Sequence, residues 1–154
     1  MQKITPFLWF DKEAGEAAKF YTSIFKDSKI RGTTVFDNTP SGSVEIVTIE
    51  LFGQEFQLMS AGPLFKFTEA ISFVIDCETQ DEVNYYWEKL TAGGGQESMC
   101  GWLKDKYGLS WQVVPTVLTE MLLDKDPEKS KKVMQAMLQM KKIDIKTLRE
   151  AHVG

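Results

Sequence analysis

Apolar and polar positions change rhythm several times along the chain, and each change predicts an element. Ile4 to Phe10 is almost wholly apolar and reads as a buried strand. Asp11 is placed to cap a following helix. In that helix Ala14, Ala17, Ala18, Tyr21, Ile24 and Phe25 recur at helical spacing, while Lys12, Glu13, Glu16 and Lys19 take the other side. Three strand-like stretches come next. Lys29 to Asp37 leads through the turn Asn38-Thr39-Pro40-Ser41-Gly42 into Ser43 to Phe52, and Gly53-Gln54 turns the chain into Glu55 to Ser60.

The pattern then starts again. Ala70 to Asp76 reads as a strand, and Thr79-Gln80-Asp81-Glu82 has the form of a capping box. Val83, Tyr86, Trp87 and Leu90 make one face of the helix it opens, and Gly93-Gly94-Gly95 stops it. Cys100 to Lys106 and Ser110 to Pro115 are strand-like, with a reduced strand expected between Gly93 and Met99. Beyond them lies a helical tail. Asp126-Pro127-Glu128 predicts an N-cap followed by proline in the first turn, and Val133, Met134, Met137 and Leu138 give that helix an apolar stripe. Asp144 is placed to cap a last helix, with Ile143 and Leu148 spaced as a hydrophobic staple.

The two halves match in detail. Gly53-Gln54-Glu55-Phe56-Gln57-Leu58-Met59 aligns with Gly108-Leu109-Ser110-Trp111-Gln112-Val113-Val114, so that glycine, aromatic and glutamine coincide. Each half is then strand–helix–strand–strand–strand, with one apolar sheet face that must be covered. The fold class expected is α+β: two such modules forming a curved mixed sheet with a concave cleft, plus C-terminal helices. The whole chain, 1–154, is expected to be one domain, with module one at about 1–61, module two at about 69–116 and the tail at about 117–154.

Composition narrows the function. The chain is 43% hydrophobic and 26% charged, with a net charge of -4. That suits a globular domain and gives no electrostatic footprint for nucleic acid or an anionic membrane, so neither is an expected partner. No apolar run is long enough to span a bilayer, the start lacks the apolar block of a signal peptide, and Cys77 and Cys100 are too few for a disulfide scaffold; a cytoplasmic location is the expectation.

Chemistry-bearing residues are sparse. The single histidine, His152, lies near the C-terminus and reads as a frayed surface position. Cys77 and Cys100 read as inert thiols without a nearby base, and Asp105 between Lys104 and Lys106 as a solvated hairpin turn. Met134, Met137 and Met140 suit either core packing or an adaptable surface against the sheet or a second subunit. Trp9, Phe56, Trp102 and Trp111 all fall on predicted strands. Any that face a cleft supply flat apolar walls, with Gln57 and Gln112 to orient a ligand.

The segments Ile4-Thr5-Pro6-Phe7-Leu8-Trp9-Phe10-Asp11, Glu16-Ala17-Ala18-Lys19-Phe20-Tyr21 and Cys100 through Pro115, ending Trp-Gln-Val-Val-Pro, resemble the PhnB-like family. This is a branch of the vicinal oxygen chelate superfamily, with glyoxalase I, bleomycin-resistance proteins and extradiol dioxygenases. Its members often carry the name demethylubiquinone methyltransferase, and the resemblance implies a homodimer. Superfamily enzymes hold a divalent metal with His, Glu or Gln from the first and last strands of each module. Those last-strand positions fall here on Gln57 and Gln112, both neutral amides. The first strand holds no His, Asp or Glu, and the second module offers at most Glu69. Such ligands suit neither hard nor borderline cations.

The reading is therefore a metal-free cleft, with no cofactor, that binds a small aromatic or aliphatic molecule through Trp9, Gln57, Trp102, Trp111 and Gln112, with the reaction left open. A metal-dependent lyase- or dioxygenase-like enzyme is one alternative. A methyltransferase is another, although Gly93-Gly94-Gly95 follows its helix instead of opening one, as a nucleotide-binding turn would.

Overall fold

The structure, a computed structural model, describes every residue from 1 to 154. The chain divides into two compact units, Met1–Phe67 and Thr68–Gly154.

The first unit runs β1 (Phe7–Phe10), α1 (Ala14–Ile24), β2 (Ser28–Thr39), β3 (Gly42–Leu51) and β4 (Gln54–Ser60). Its sheet has the order β1-β4-β3-β2, with β1 parallel to β4 and the remaining pairs antiparallel. The first strand is shorter than its apolar run, because Ile4 lies exposed before it. Capping of α1 also differs from expectation. Glu13, not Asp11, takes the N-cap position and makes no side-chain cap bond. The Ala14 N–H donates to Ser60 Oγ at 2.9 Å, so the end of β4 supplies the acceptor. Ala14, Ala17, Ala18, Tyr21 and Ile24 are buried on α1, and Leu8, Phe10, Val47, Ile49, Leu51, Phe56 and Leu58 are buried on the sheet.

The second unit repeats this plan: β5 (Ser72–Cys77), α2 (Gln80–Thr91), β6 (Gln96–Glu97), β7 (Trp102–Lys104) and β8 (Ser110–Pro115). The order β5-β8-β7-β6, with β5 parallel to β8, is that of the first unit. The internal repeat read from the glycine–aromatic–glutamine pattern is thus visible as identical connectivity. Its second strand has shrunk to two residues, as expected. Thr79 caps α2 by accepting the Glu82 N–H at 3.2 Å, and Val83, Tyr86, Trp87 and Leu90 are the buried face. Gly95 sits where a Cβ would lie 2.7 Å from Thr91 Cα and 2.8 Å from the Lys104 carbonyl, so only glycine lets the strand pass the helix end.

Three helices complete this unit: α3 (Thr116–Leu122), α4 (Pro127–Met137) and α5 (Ile145–Val153). The sequence reading missed α3. Asp126 and Asp144 cap α4 and α5 as expected, accepting from Glu128 N and Thr147 N. Leu118, Met121, Val133, Ile143 and Leu148 form one buried cluster, which includes both members of the staple. Met137 and Met140 pack against that cluster, whereas Met134 is exposed. The segment before α5 is also stitched to the sheet: Cys100 N–H donates to the Met140 carbonyl at 2.7 Å and Gly101 N–H to that of Lys141 at 2.8 Å.

Candidate functional site

Side chains on a strand alternate between faces, so register settles which residues share a surface. In the first unit Phe7 pairs with Gln57 and Trp9 with Met59 on β1 and β4, while Thr48 and Ile46 pair with the same two β4 residues from the other side. All six are half-buried or exposed and lie on the face opposite the α1 core. Trp9 is fixed there. Its indole N–H donates to the Gly62 carbonyl at 2.8 Å, and Phe65 meets its ring edge-on with centroids 4.9 Å apart. Gln57 keeps its side-chain amide unengaged, while its backbone N–H donates to the Pro6 carbonyl.

The corresponding face of the second unit carries Ser72, Val74, Trp102, Lys104, Ser110 and Gln112. Gln112 Nε2 donates to Ser72 Oγ at 2.9 Å. Val74, its register partner, is 53% exposed. Three of the four indoles are hydrogen-bonded: Trp9 as above, Trp87 to Glu97 at 2.7 Å, and Trp111 to Asp105 at 2.9 Å. Trp102 is the fourth, half-buried beside Gln112 with its N–H unused. A buried or half-buried indole ordinarily finds an acceptor. Ser110 is stranger still: its hydroxyl is buried and has no partner, which costs about 1–3 kcal/mol in a folded protein.

Trp111 belongs elsewhere. It neighbours Gln112 along the strand and so points to the other face, where it is 4% exposed and packs near Phe73 with centroids 5.6 Å apart. Phe56, its counterpart beside Gln57, is buried in the same way. Trp9 and Gln57 thus share a sheet face in one unit and Trp102 and Gln112 in the other, and Trp111 lies apart from them. That correction was available from alternation alone, because two adjacent strand residues cannot share a face.

Two other expectations are overturned. Asp105 is not solvated: it is 2% exposed, and its carboxylate accepts from the Tyr107 and Leu109 backbone N–H groups and from the Trp111 indole. His152 is not frayed either. Its Nε2 lies 2.7 Å from Asp124 Oδ2, joining the last turn of α5 to the loop after α3. The Asp126 backbone N–H and then His152 hold the Asp124 carboxyl below its ordinary range. The thiols follow expectation in part. Cys77 is buried, and burial first, then Glu82 and Asp76, pushes its pKa up to about 12; Cys100 is half-buried.

The sequence profile of the family described as 3-demethylubiquinone-9 3-methyltransferase matches residues 2–114. A solved structure from Bacillus cereus, described as a putative 3-demethylubiquinone-9 3-methyltransferase, PhnB protein, is 36% identical, with a TM-score of 0.66, covering 74% of this chain and 99% of its own. The chain belongs to this PhnB-like family. Two more distant structures share the fold. PA1353 from Pseudomonas aeruginosa is 17% identical with a TM-score of 0.60, covering 75% of this chain and 98% of its own. The fosfomycin resistance protein FosX from Listeria monocytogenes is 15% identical with a TM-score of 0.58, covering 80% and 98%. No functionally curated protein matches the chain.

The resemblance to the vicinal oxygen chelate superfamily implies a divalent metal, and this chain's donors do not fit one. At the last-strand positions Gln57 faces Phe7 and Gln112 faces Val74 across the parallel pairs, and the polar neighbour that the first strand of the second unit adds, Ser72, is a neutral hydroxyl. No three His, Cys, Asp or Glu side chains gather into a ligand set. Two amides leave a cation's charge uncompensated. The residues fit S-adenosylmethionine no better in the usual way, because Gly93 and Gly94 close α2 in positive-φ conformations instead of opening a helix.

Proposed function

We propose that this PhnB-like protein binds a small aromatic or aliphatic molecule on the sheet faces that carry Trp9 with Gln57 and Trp102 with Gln112, without a divalent metal. The observation that carries this reading is Trp102. A half-buried indole with an idle N–H, next to a carboxamide and the exposed Val74, is a flat apolar wall with hydrogen-bonding capacity in reserve. Trp9, with Phe7, Met59 and Phe65 around it, offers a second wall, and the Gln57 amide is free to orient what lies on it. A homodimer in the cytoplasm completes the reading. The long outer strand β2, open along nearly its whole length with Val35 and Phe36 about half exposed, supports an assembly, and two free thiols suit a reducing compartment.

The test is a titration of the isotopically labelled protein with benzyl alcohol and indole, followed by amide and indole N–H resonances. Shifts centred on Trp102, Gln112, Trp9 and Gln57, lost in Trp102→Ala and Gln112→Ala variants that keep the wild-type spectrum elsewhere, are expected. Calorimetry with Mn²⁺ and Zn²⁺ is expected to show no stoichiometric uptake. Tight uptake with release of protons would replace this reading with a metal enzyme, and saturable S-adenosylmethionine binding would replace it with a transferase.

A further inference from the structure

The second unit's sheet face contains more than an aromatic wall. β8 lies between β5 and β7, and Ser110 on β8 is in register with Ser72 on one side and Lys104 on the other. The Lys104 ammonium is paired with Glu69, which stands three residues before Ser72. The ion pair therefore runs from β7 to the start of β5, across the strand that carries the unpartnered Ser110 hydroxyl. Ser72 Oγ and the Gln112 amide complete the cluster.

The parts of this cluster differ in how firmly they are held. Lys104, Ser110 and Gln112 stand on paired strands, and the Lys104 side chain is 37% exposed. Glu69 precedes β5 outside any strand, with its side chain 60% exposed. Fixed side chains thus present an ammonium and two hydroxyls, which are donors. The negative partner is the loosely held member. A sheet face whose fixed cation is neutralised by a loosely held carboxylate, with an idle hydroxyl on the strand between them, is arranged for an anionic oxygen to replace that carboxylate as the cation's partner.

We propose that Lys104, Ser110 and Ser72 form the head-group subsite of the second unit, taking the oxyanion of a small molecule whose apolar body lies on Trp102 and Val74, and that Glu69 neutralises the Lys104 ammonium in the ligand's absence. This rests on the reading that the Trp102 face binds a small molecule, and it adds the class: an apolar compound ending in a carboxylate or a phosphate-type group. Gln112 sits between head and body, its Nε2 already held by Ser72 and its carbonyl free to accept.

Three probes of similar body separate the possibilities: benzyl alcohol, phenylacetate and phenyl phosphate, titrated by following the Ser110, Lys104 and Gln112 amides. Both anions are expected to bind about tenfold tighter than the alcohol, a gap that shrinks with added salt. Whichever anion binds more tightly assigns the head group. Lys104→Met is expected to erase the anion preference, bringing both anions to about the affinity of benzyl alcohol for the same variant. Ser110→Ala is expected to weaken anion binding and raise the Tm, because it deletes a buried hydroxyl with no partner. A lower Tm for Ser110→Ala would mean that the hydroxyl already serves the fold, and would overturn the proposal. Equal affinity for all three probes at this face would also overturn it while the aromatic-wall reading stood. No binding of any probe would remove both.

Discussion

Trp111 donates its indole N–H to Asp105 Oδ2 at 2.9 Å, although five residues separate them around the β7–β8 turn. The same carboxylate accepts the Tyr107 and Leu109 backbone N–H groups, so one buried acidic side chain holds both the turn and the aromatic behind it. Asp105→Ala leaves those donors without an acceptor. It is expected to destabilise the protein by about 3–5 kcal/mol, and Trp111→Phe by about 1–2 kcal/mol, measured by urea unfolding. The double variant is expected to lose less than the sum of the two, since both singles break the same bond.

Capping of α1 supplies a second prediction. Ser60→Ala removes the acceptor of the Ala14 N–H and is expected to cost about 0.5–2 kcal/mol. Asp11→Ala is expected to cost nothing measurable in the same denaturation experiment, because Asp11 is outside the cap.

Gly95→Ala is expected to destabilise the second unit by at least about 1–3 kcal/mol, the range for overpacking a filled site. The atoms in the way belong to the Thr91 and Lys104 backbones and cannot rotate aside.

Acid is expected to loosen the end of α5. Asp124 has a lowered pKa in the folded chain, so it contributes stability above its unfolded value, and that contribution disappears as pH falls through the folded value. The difference in Tm between wild type and Asp124→Asn is expected to be present above the ordinary aspartate pKa and to close as the pH falls below it.

Thiol chemistry offers a direct check on burial. With its pKa pushed up to about 12 and no exposed surface, Cys77 is expected to resist iodoacetamide at neutral pH until the protein is unfolded. Mass spectrometry of native protein is expected to find alkylation confined to Cys100.

What could be read from the sequence follows the range of the interactions involved. Thr79, Asp126 and Asp144 act on backbone groups two or three residues away, and their roles were plain in the chain itself. The buried face of α2 was equally plain, because periodicity is a local property. Ser60 reaches Ala14 across 46 positions and His152 reaches Asp124 across 28, and no local signal marks either pair. Asp105 was misread for a different reason: flanking lysines suggest solvent, while its acceptors' partners lie at the turn and on the far side of it. Of the candidate site, the two glutamines and two tryptophans were visible as residue types on strands. The Ser110–Lys104–Glu69 cluster was not, since only strand pairing brings its members into line.

The stitching of Met140 and Lys141 to Cys100 and Gly101 has a consequence for biosynthesis. The first unit owns all its core by Phe67, so its sheet can close while the rest of the polypeptide is still being made. The second cannot do the same. Ile143 and Leu148 complete the buried cluster of its helices, and the 140–141 carbonyls satisfy its turn, so that half stays incomplete until those residues have been made. A ribosome stalled before Ile143 would therefore display one finished module and one that remains sensitive to proteases.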